Sequence, residues 1–340
     1  MKRVISKYLG MGVVGFLMAG MFVMPLVAVS AEQLVVYSGR GEKFTRPVVK
    51  AFQKRTGIRT QALVGGSTNL LARIQEEGER TQADVFLTNY AGVLEQARKR
   101  NLLQPYESPV LKAIPKEYIG PDSMWVGASA RARAIVYNKN LVKPEQVTGV
   151  LDIADPKWKG KLAITESTNG SFIGGLATML GQFDEPTVRR FLAGIKENAG
   201  ENIFPKHTPI VSAVERGEVA LGLINHYYFY RAISKNPKAP LGVIFPDKQG
   251  GGVPTTITGL AILKHGKNIK AARLFLDYVL SEEGQKIFAE VNFEFPVRKG
   301  VKVHPLLQKS GSVNLAPVNH ALKVDQIDRA IALIKEVGMH

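Results

Sequence analysis

Short apolar runs alternate with helically spaced apolar positions from Leu34 onward. Residues 34–37 show the first pattern, and residues 44–55 show the second, with their apolar side chains on one helical face. The same two patterns predict further strands at 61–64, 84–87, 134–137, 161–164, 219–224 and 256–263, and helices at 68–77, 269–280 and 282–291. Such alternation indicates crossover connections and a mainly parallel sheet covered by helices on both faces. The pattern therefore predicts an α/β protein.

The length of the chain favours two such units. A chain of 340 residues corresponds to about two domains at the usual size. A polar, proline-bearing stretch at 152–159 separates two of the predicted strands, and the sequence contains no repeat of fixed period. Two α/β lobes joined by hinge strands fit best, and proteins of this kind bind their ligand between the lobes.

The N-terminal segment has the pattern of an export signal. Lys2, Arg3 and Lys7 precede a stretch without charge that ends at Glu32, and small residues before and at Ala31 form a cleavage pattern. The alternative is a retained membrane anchor, because the uncharged stretch is long enough to span a bilayer. A proline and several glycines weaken a continuous helix there. We expect residues 1–31 to be a signal peptide cleaved after about Ala31, which would make the mature protein periplasmic.

Composition excludes several classes of function. The net charge of +16 would favour a nucleic-acid partner in a cytosolic protein, but an exported protein does not meet the genome, and we expect none. The absence of cysteine excludes a disulfide framework, an iron–sulfur cluster, a cysteine nucleophile and a lipid-bearing cysteine. The six histidines are scattered without the spacing of a zinc site. No acid/base or nucleophile constellation emerges, so we expect a binding protein and not an enzyme.

Two turns are suited to holding an anion. Arg40 lies between two glycines, after a predicted strand and before a predicted helix, where a helix N-terminus favours negative charge. The alternative is an ordinary surface arginine in a loop. Asn169, Gly170 and Ser171 follow another predicted strand and present backbone N–H groups and a hydroxyl in the same way. Neither turn has an obvious catalytic partner.

An aromatic cluster at 225–231, Asn-His-Tyr-Tyr-Phe-Tyr-Arg, follows the strand predicted at 219–224. Tyr227 and Tyr228 are adjacent at a strand-to-helix junction and would direct two hydroxyls into the space between the lobes. The alternative is a packed aromatic corner. Two adjacent phenolates require a powerful cation, because a neutral phenol ionises only near pH 10. Trivalent iron meets that need, since it prefers anionic oxygen donors, and an anion held by Arg40 could fill its open positions.

At these residues the sequence resembles the periplasmic ferric-iron-binding proteins of bacterial ABC transporters, the transferrin-like members of the two-lobed solute-binding superfamily. The resemblance covers essentially all of the mature chain and is most specific at 225–231, with further matches at 36–40, 83–88, 155–161 and 292–297. It implies a type II periplasmic-binding-protein fold, in which each lobe is a mixed, mainly parallel sheet flanked by helices and hinge strands join the lobes. Lobe 1 would comprise 32–133 plus 258–308, and lobe 2 would comprise 134–257 plus 309–340. It also implies Fe³⁺ as the transported ligand, carbonate or phosphate as synergistic anion, an inner-membrane permease as partner and a monomeric state.

The resemblance implies most of the site but leaves the iron ligand from lobe 1 open. It makes Tyr227 and Tyr228 the paired iron ligands. The family's histidine, tyrosine and carboxylate positions are occupied here by Gly41, Glu42 and Asn89, and the third tyrosine of a subgroup falls near Ser171. Glu42 is the best-placed substitute, Tyr90 is a weaker one, and water with a bidentate anion is the remaining possibility. The anion contacts implied by the family are Asn169, Gly170, Ser171 and Asn225, beside Arg40.

A second function is compatible with the same fold. Because the lobe 1 metal ligands of the family are missing, the chain could instead bind an organic or phosphorylated anion. The two tyrosines would then act as hydrogen-bond donors and stacking surfaces.

Overall fold

A computed structural model of the protein describes residues 33–247, 251–317 and 324–339. The predicted signal peptide, residues 1–31, lies outside the described residues. None of the helices in the described part is both long enough and apolar enough to cross a bilayer.

Strands and helices alternate along the chain as the apolar pattern predicts. The strands are β1 (Gln33–Ser38), β2 (Arg59–Val64), β3 (Val85–Thr88), β4 (Leu103–Gln104), β5 (Val126–Asn138), β6 (Leu162–Thr165), β7 (Ile203–Phe204), β8 (Leu221–Asn225), β9 (Leu241–Ile244), β10 (Thr255–Leu263) and β11 (Phe295–Pro296). The helices are α1 (Glu42–Thr56), α2 (Ser67–Glu77), α3 (Ala91–Lys99), α4 (Gly170–Gln182), α5 (Glu185–Ala199), α6 (His207–Arg216), α7 (His226–Lys235), α8 (Ile269–Leu280), α9 (Glu282–Lys286), α10 (Pro305–Gln308) and α11 (Val324–Glu336). The helix predicted at 282–291 is divided, because a π-helical turn at Ile287–Val291 follows α9.

The strands form one mixed sheet in the order β2-β1-β3-β10-β5-β8-β6-β7, with β4 on β10 and with β9 and β11 on β5. Parallel pairing joins β1 to β2 and β3, and β6 to β7 and β8. Every pair that includes β5 or β10 is antiparallel. The α/β class and the mixed sheet are both confirmed. The antiparallel pairing at the centre arises because β10 returns to the first strands after the chain has built the later ones.

The long strand β5 belongs to both halves of this sheet. It pairs with β10 as far as Ala132, and from Arg133 onward it pairs with β8. All thirteen of its residues are buried, including Arg131 and Arg133. The apolar pattern predicts only the second half of this strand, because the first half alternates alanine with glycine, serine and arginine. The pairing partner changes at the lobe boundary predicted from the sequence, and the division into lobes itself stays a prediction.

Helices pack against the strands of the sheet, and the apolar side chains between them are buried. Phe52 of α1 packs edge-on against Phe275 of α8, with ring centroids 5.1 Å apart. The final described helix, α11, packs against α4 and α3. Burying an aromatic side chain of this size contributes about 1.5–3 kcal/mol to stability. This packing holds the loops that follow β1, β6 and β8 in fixed positions.

Candidate functional site

The tyrosine pair lies in the first turn of α7. Strand β8 ends at Asn225 and the helix begins at the next residue. The rings of Tyr227 and Tyr228 are 4.5 Å apart between centroids, and the Asn225 side-chain amide donates to the Tyr227 hydroxyl at 3.3 Å. Tyr227 is buried and Tyr228 is half-buried. The two hydroxyl-bearing rings therefore lie side by side.

His226 fixes the start of this helix. Its Nε2 donates to the Phe293 carbonyl at 2.8 Å, and its Nδ1 accepts from the backbone N–H of Ala132 at 3.2 Å. Burial lowers the pKa of His226 to about 3, so the ring is neutral at ordinary pH. The imidazole thus joins α7 to the middle of β5 and to the loop before β11.

Tyr227 and Tyr228 open onto a cavity of about 110 Å³, called the tyrosine cavity below. Its lining residues come from widely separated segments: Gly39, Arg40, Gly41, Phe44, Asn89, Arg131, Asn169, Ser171, His207, Asn225, Tyr227 and Tyr228. Six of the residues that the sequence singles out as site residues are among them. Gly170 lies beside it at the start of α4, where an added Cβ would come within 3.0 Å of the Asn89 side chain.

Glu42 and Tyr90, the two residues considered as a lobe 1 iron ligand, are not among the lining residues. Glu42 begins α1 with its side chain 74% exposed and lies 3.8 Å from Arg46. It follows the turn that carries Arg40, yet it does not line the tyrosine cavity. Tyr90 is buried among Gly92, Gly174 and neighbouring side chains, and burial raises the pKa of its hydroxyl. The structure therefore brings neither candidate to the tyrosine cavity.

Arg40 is buried, which excludes the surface-arginine alternative. Its guanidinium forms an ion pair with Glu294 and donates to Thr258 Oγ1 at 3.2 Å. Ser129 also donates to the Glu294 carboxylate. The guanidinium carbon lies 4.7 Å from the centroid of the Phe44 ring. The positive charge of Arg40 is thus compensated by a carboxylate that also lies within the fold.

Arg131, which the sequence analysis missed, forms no ion pair with a carboxylate among the described residues. It is 2% exposed, and its Nε and Nη2 are buried without a hydrogen-bond partner among the described residues. Burial and the charge of Arg40 lower its pKa. Nearby Arg133 donates to the Asn225 side chain at 3.1 Å, and burial lowers its pKa to about 10. A buried guanidinium with free donors needs an acceptor, so the tyrosine cavity is suited to an anion.

The arginines affect the two phenols differently. Burial alone would raise the pKa of Tyr227, but the positive charges of Arg40 and Arg131 outweigh it and leave the pKa below the ordinary value. Burial and the neighbouring Tyr227 raise the pKa of Tyr228. The cavity therefore favours one phenolate, and ionisation of the second tyrosine requires a further positive charge.

The turn before α4 forms another part of the cavity wall. The Asn169 side chain accepts from the Ser171 backbone N–H at 3.0 Å and caps the helix. Ser171 Oγ lies 2.7 Å from His207 Nε2, a second residue that sequence reasoning missed. Burial holds the pKa of His207 well below its usual range, so this wall is neutral and presents a helix N-terminus.

Carboxylate and imidazole groups do not cluster as they would at a conventional metal centre. In residues 33–247, 251–317 and 324–339, no group of three or more His, Asp or Glu side chains is arranged to hold a metal ion. The oxygen donors that converge on the tyrosine cavity are phenol, hydroxyl and amide groups. Among these, the two phenols alone can supply anionic oxygen.

Residues 34–294 match the model of a bacterial extracellular solute-binding protein family. The chain belongs to this family. Membership makes it a solute-binding protein and not an enzyme, which confirms the expectation from the sequence. It also confirms that the chain acts outside the cytoplasm.

Three relatives illustrate the similarity. The chain is 32% identical to Iron uptake protein A1 of Synechocystis sp. over 82% of this chain and 80% of that protein. It is 28% identical to the Major ferric iron-binding protein of Neisseria meningitidis serogroup B over 90% of this chain and 93% of that protein. A Trichodesmium protein (IdiA, FutA) solved in complex with iron and citrate ligands has 32% identity and a TM-score of 0.77, covering 91% of this chain and 100% of that one. These similarities confirm the type II periplasmic-binding-protein fold.

Proposed function

We propose that this solute-binding protein is a periplasmic receptor that captures ferric iron together with an anion and delivers it to an ABC permease. The observation that carries the proposal is the tyrosine cavity, in which two adjacent phenols meet a buried arginine with free donors. The names of the iron-uptake and ferric iron-binding relatives support the same ligand.

Tyr227 and Tyr228 would bind the iron as phenolates. Arg40 and Arg131 already favour ionisation of Tyr227, and the trivalent cation would supply the charge that Tyr228 needs. Hard ferric iron prefers such anionic oxygen donors. The absence of Glu42 and Tyr90 from the cavity supports the remaining possibility, in which water and a bidentate anion complete the coordination.

The anion would lie between Arg131 and the turn before α4. Arg131 offers two unpartnered nitrogens, and the turn offers Ser171 and the N-terminus of a thirteen-residue helix. Asn169, Gly170 and Asn225 would contribute as the sequence predicts. Carbonate and phosphate both have the charge and size for this position. Arg40 would act mainly through its positive potential, because Glu294 already pairs with it.

The remaining sequence predictions belong to the same proposal. Cleavage after about Ala31 would release a monomeric mature chain into the periplasm. Its lobes would comprise 32–133 plus 258–308 and 134–257 plus 309–340, and the change of pairing partner on β5 supports this division. Closure of the lobes on iron would present a surface to the permease.

An absorption spectrum tests the proposal. Purified protein loaded with ferric citrate is expected to develop a visible tyrosinate-to-iron charge-transfer band. Tyr227→Phe and Tyr228→Phe keep the rings but remove one ligand each, so each variant should lose most of the band. Tyr230→Phe is the matched control, because Tyr230 lies on the same helix but its hydroxyl contacts Ser310 Oγ at 2.5 Å.

A colourless wild-type protein under saturating ferric citrate would contradict the iron proposal. The second function, a receptor for an organic or phosphorylated anion, is favoured by the free donors of Arg131 and by the missing lobe 1 metal ligand. Thermal stabilisation by metal-free sugar phosphates, with none from iron, would support that function instead.

A further inference from the structure

A second and larger cavity adjoins the tyrosine cavity. It measures about 330 Å³ and shares Tyr228 with the smaller cavity. We call it the basic pocket and define it by the six lining residues that matter here: Lys43, Thr208, Ser212, Tyr228, Arg231 and Lys235. Its volume lies within the range of small-molecule sites, about 300–1,000 Å³. The proposed iron and anion positions do not include the basic pocket.

The basic pocket has more cationic than anionic side chains in its lining. Across the described residues, Lys43, Arg231 and Lys235 form no ion pair with a carboxylate. The one acid in the lining, Glu215, accepts a hydrogen bond from the Asn236 side chain at 2.9 Å. Partial burial is the main cause that lowers the pKa of Lys43, and the positive charge of Arg231 is the second. The second cause is consistent with a positive potential in the pocket. Three cations in one concave surface favour an anionic ligand.

The cations lie close to two rings, Phe44 and Tyr228, that also line the tyrosine cavity. Lys43 Nζ is 5.0 Å from the ring centroids of both Phe44 and Tyr228. The Arg231 guanidinium carbon is 5.3 Å from the Phe44 centroid. Lys43 belongs to α1, whereas Arg231 and Lys235 are one turn apart on α7. A ligand with several anionic groups could therefore contact both helices while one end reaches the tyrosines.

We propose that the basic pocket binds the free carboxylates of a polycarboxylate chelate that carries ferric iron to Tyr227 and Tyr228. This inference rests on the proposed function and names the form in which the cargo arrives. The tyrosine cavity, at about 110 Å³, is suited to an ion with a small anion, whereas the body of a chelate needs the larger space. Guanidinium, ammonium and the hydroxyls of Thr208 and Ser212 are suitable donors to carboxylates.

Titration calorimetry with citrate and the metal-free, signal-cleaved chain tests the pocket without iron. The double variant Arg231→Gln/Lys235→Gln removes two cations from the pocket, and Lys50→Gln/Lys54→Gln removes two exposed cations from α1 outside it. Citrate affinity should fall about tenfold or more in the first variant and stay at the wild-type value in the second. Lys235→Gln alone, at an exposed position, should show a smaller loss in the same direction.

Three results would overturn the proposal: no citrate binding by the wild type, equal loss of citrate affinity in both double variants, or inorganic phosphate binding as tightly as citrate.

Iron loading distinguishes a failure of the basic-pocket proposal from a failure of the proposed iron-binding function. Iron supplied by air oxidation of ferrous iron in carbonate buffer should give the same band in wild type and in Arg231→Gln/Lys235→Gln. Loading from ferric citrate should be slower in that variant, and equal rates would count against the pocket. A wild type that gives no band from either source would instead contradict the iron proposal.

Discussion

Arg40 and Arg131 line the same cavity but differ in their direct polar partners. Arg40 is paired with Glu294, which also accepts a hydrogen bond from Ser129. Arg131 keeps free donors. Removing one partner of a buried ion pair leaves an uncompensated charge, which costs far more than the pair itself contributes. We therefore expect the Arg40–Glu294 pair to contribute to the stability of the fold, and the free donors of Arg131 to bind the ligand.

Glu294→Gln should lower the free energy of unfolding by about 3–5 kcal/mol, because it leaves the Arg40 charge buried without its counterion. Denaturant unfolding at neutral pH measures this loss. Glu218→Gln is the control, since Glu218 pairs with Arg216 where both side chains are more than half exposed. It should change stability by no more than about 1 kcal/mol. Equal effects of the two variants would show that burial of the Arg40 pair has no special cost.

At the scale of elements, α11 is held to the rest of the protein by both apolar and charged contacts. Ile327, Ala330 and Leu333 are buried, and the helix packs against α4 and α3. Arg329 of α11 donates through Nε to Glu185 of α5 at 2.6 Å. Hydrogen bonds from Arg329 lower the pKa of Glu185 to about 2. The position of α11 is thus linked to an exposed ion pair as well as to the core.

This ion pair predicts an acid-dependent loss of stability. The pKa of Glu185 is lower in the folded protein than its ordinary value near 4.5, so the unfolded state binds the proton first. The stabilisation is present above about pH 4.5 and is lost as the pH falls toward about 2. The stability difference between wild type and Glu185→Gln should therefore shrink across that range, as measured by thermal unfolding. High salt should reduce the difference, because the pair is exposed.

The elements also show where the apolar pattern is informative. It predicts α8 with its observed ends and β10 within one residue, because both present regular apolar faces to the core. It misses the first half of β5, where Arg131 and Arg133 alternate with alanine. Those arginines are buried at the place where β5 changes partner, and a polar residue in a strand ordinarily indicates a solvent-facing position.

At the scale of the whole molecule, the net charge that remains after export would affect which form of iron the protein attracts. Cleavage after Ala31 would remove Lys2, Arg3 and Lys7 and lower the net charge from +16 to +13. A strongly positive protein repels a bare trivalent cation and attracts an anionic ferric chelate. The field of the mature chain therefore favours iron that arrives with an excess of negative charge.

The rate of iron loading from ferric citrate is expected to fall as ionic strength rises from about 0.01 M to about 0.15 M, because the screening length shortens from about 30 Å to about 8 Å. Stopped-flow absorption at the charge-transfer band measures this rate. A rate that does not respond to salt would count against electrostatic attraction of the chelate, and a rate that rises would indicate capture of a cation.

Much of this protein follows from local information in its chain. Apolar periodicity specifies most strands and helices, because burial of one face is decided within a few neighbouring residues. The adjacent tyrosines and the turn at 169–171 are likewise local, and their chemistry could be inferred before their surroundings were known. The exposure of Glu42 and its absence from the tyrosine cavity could not be inferred in this way, since they depend on how α1 packs in the folded chain. Whether Arg40 or Arg131 has a buried counterion depends on residues as distant as Glu294, 254 positions from Arg40. Packing alone brings such groups together, so the charge balance of the cavity is a property of the tertiary structure.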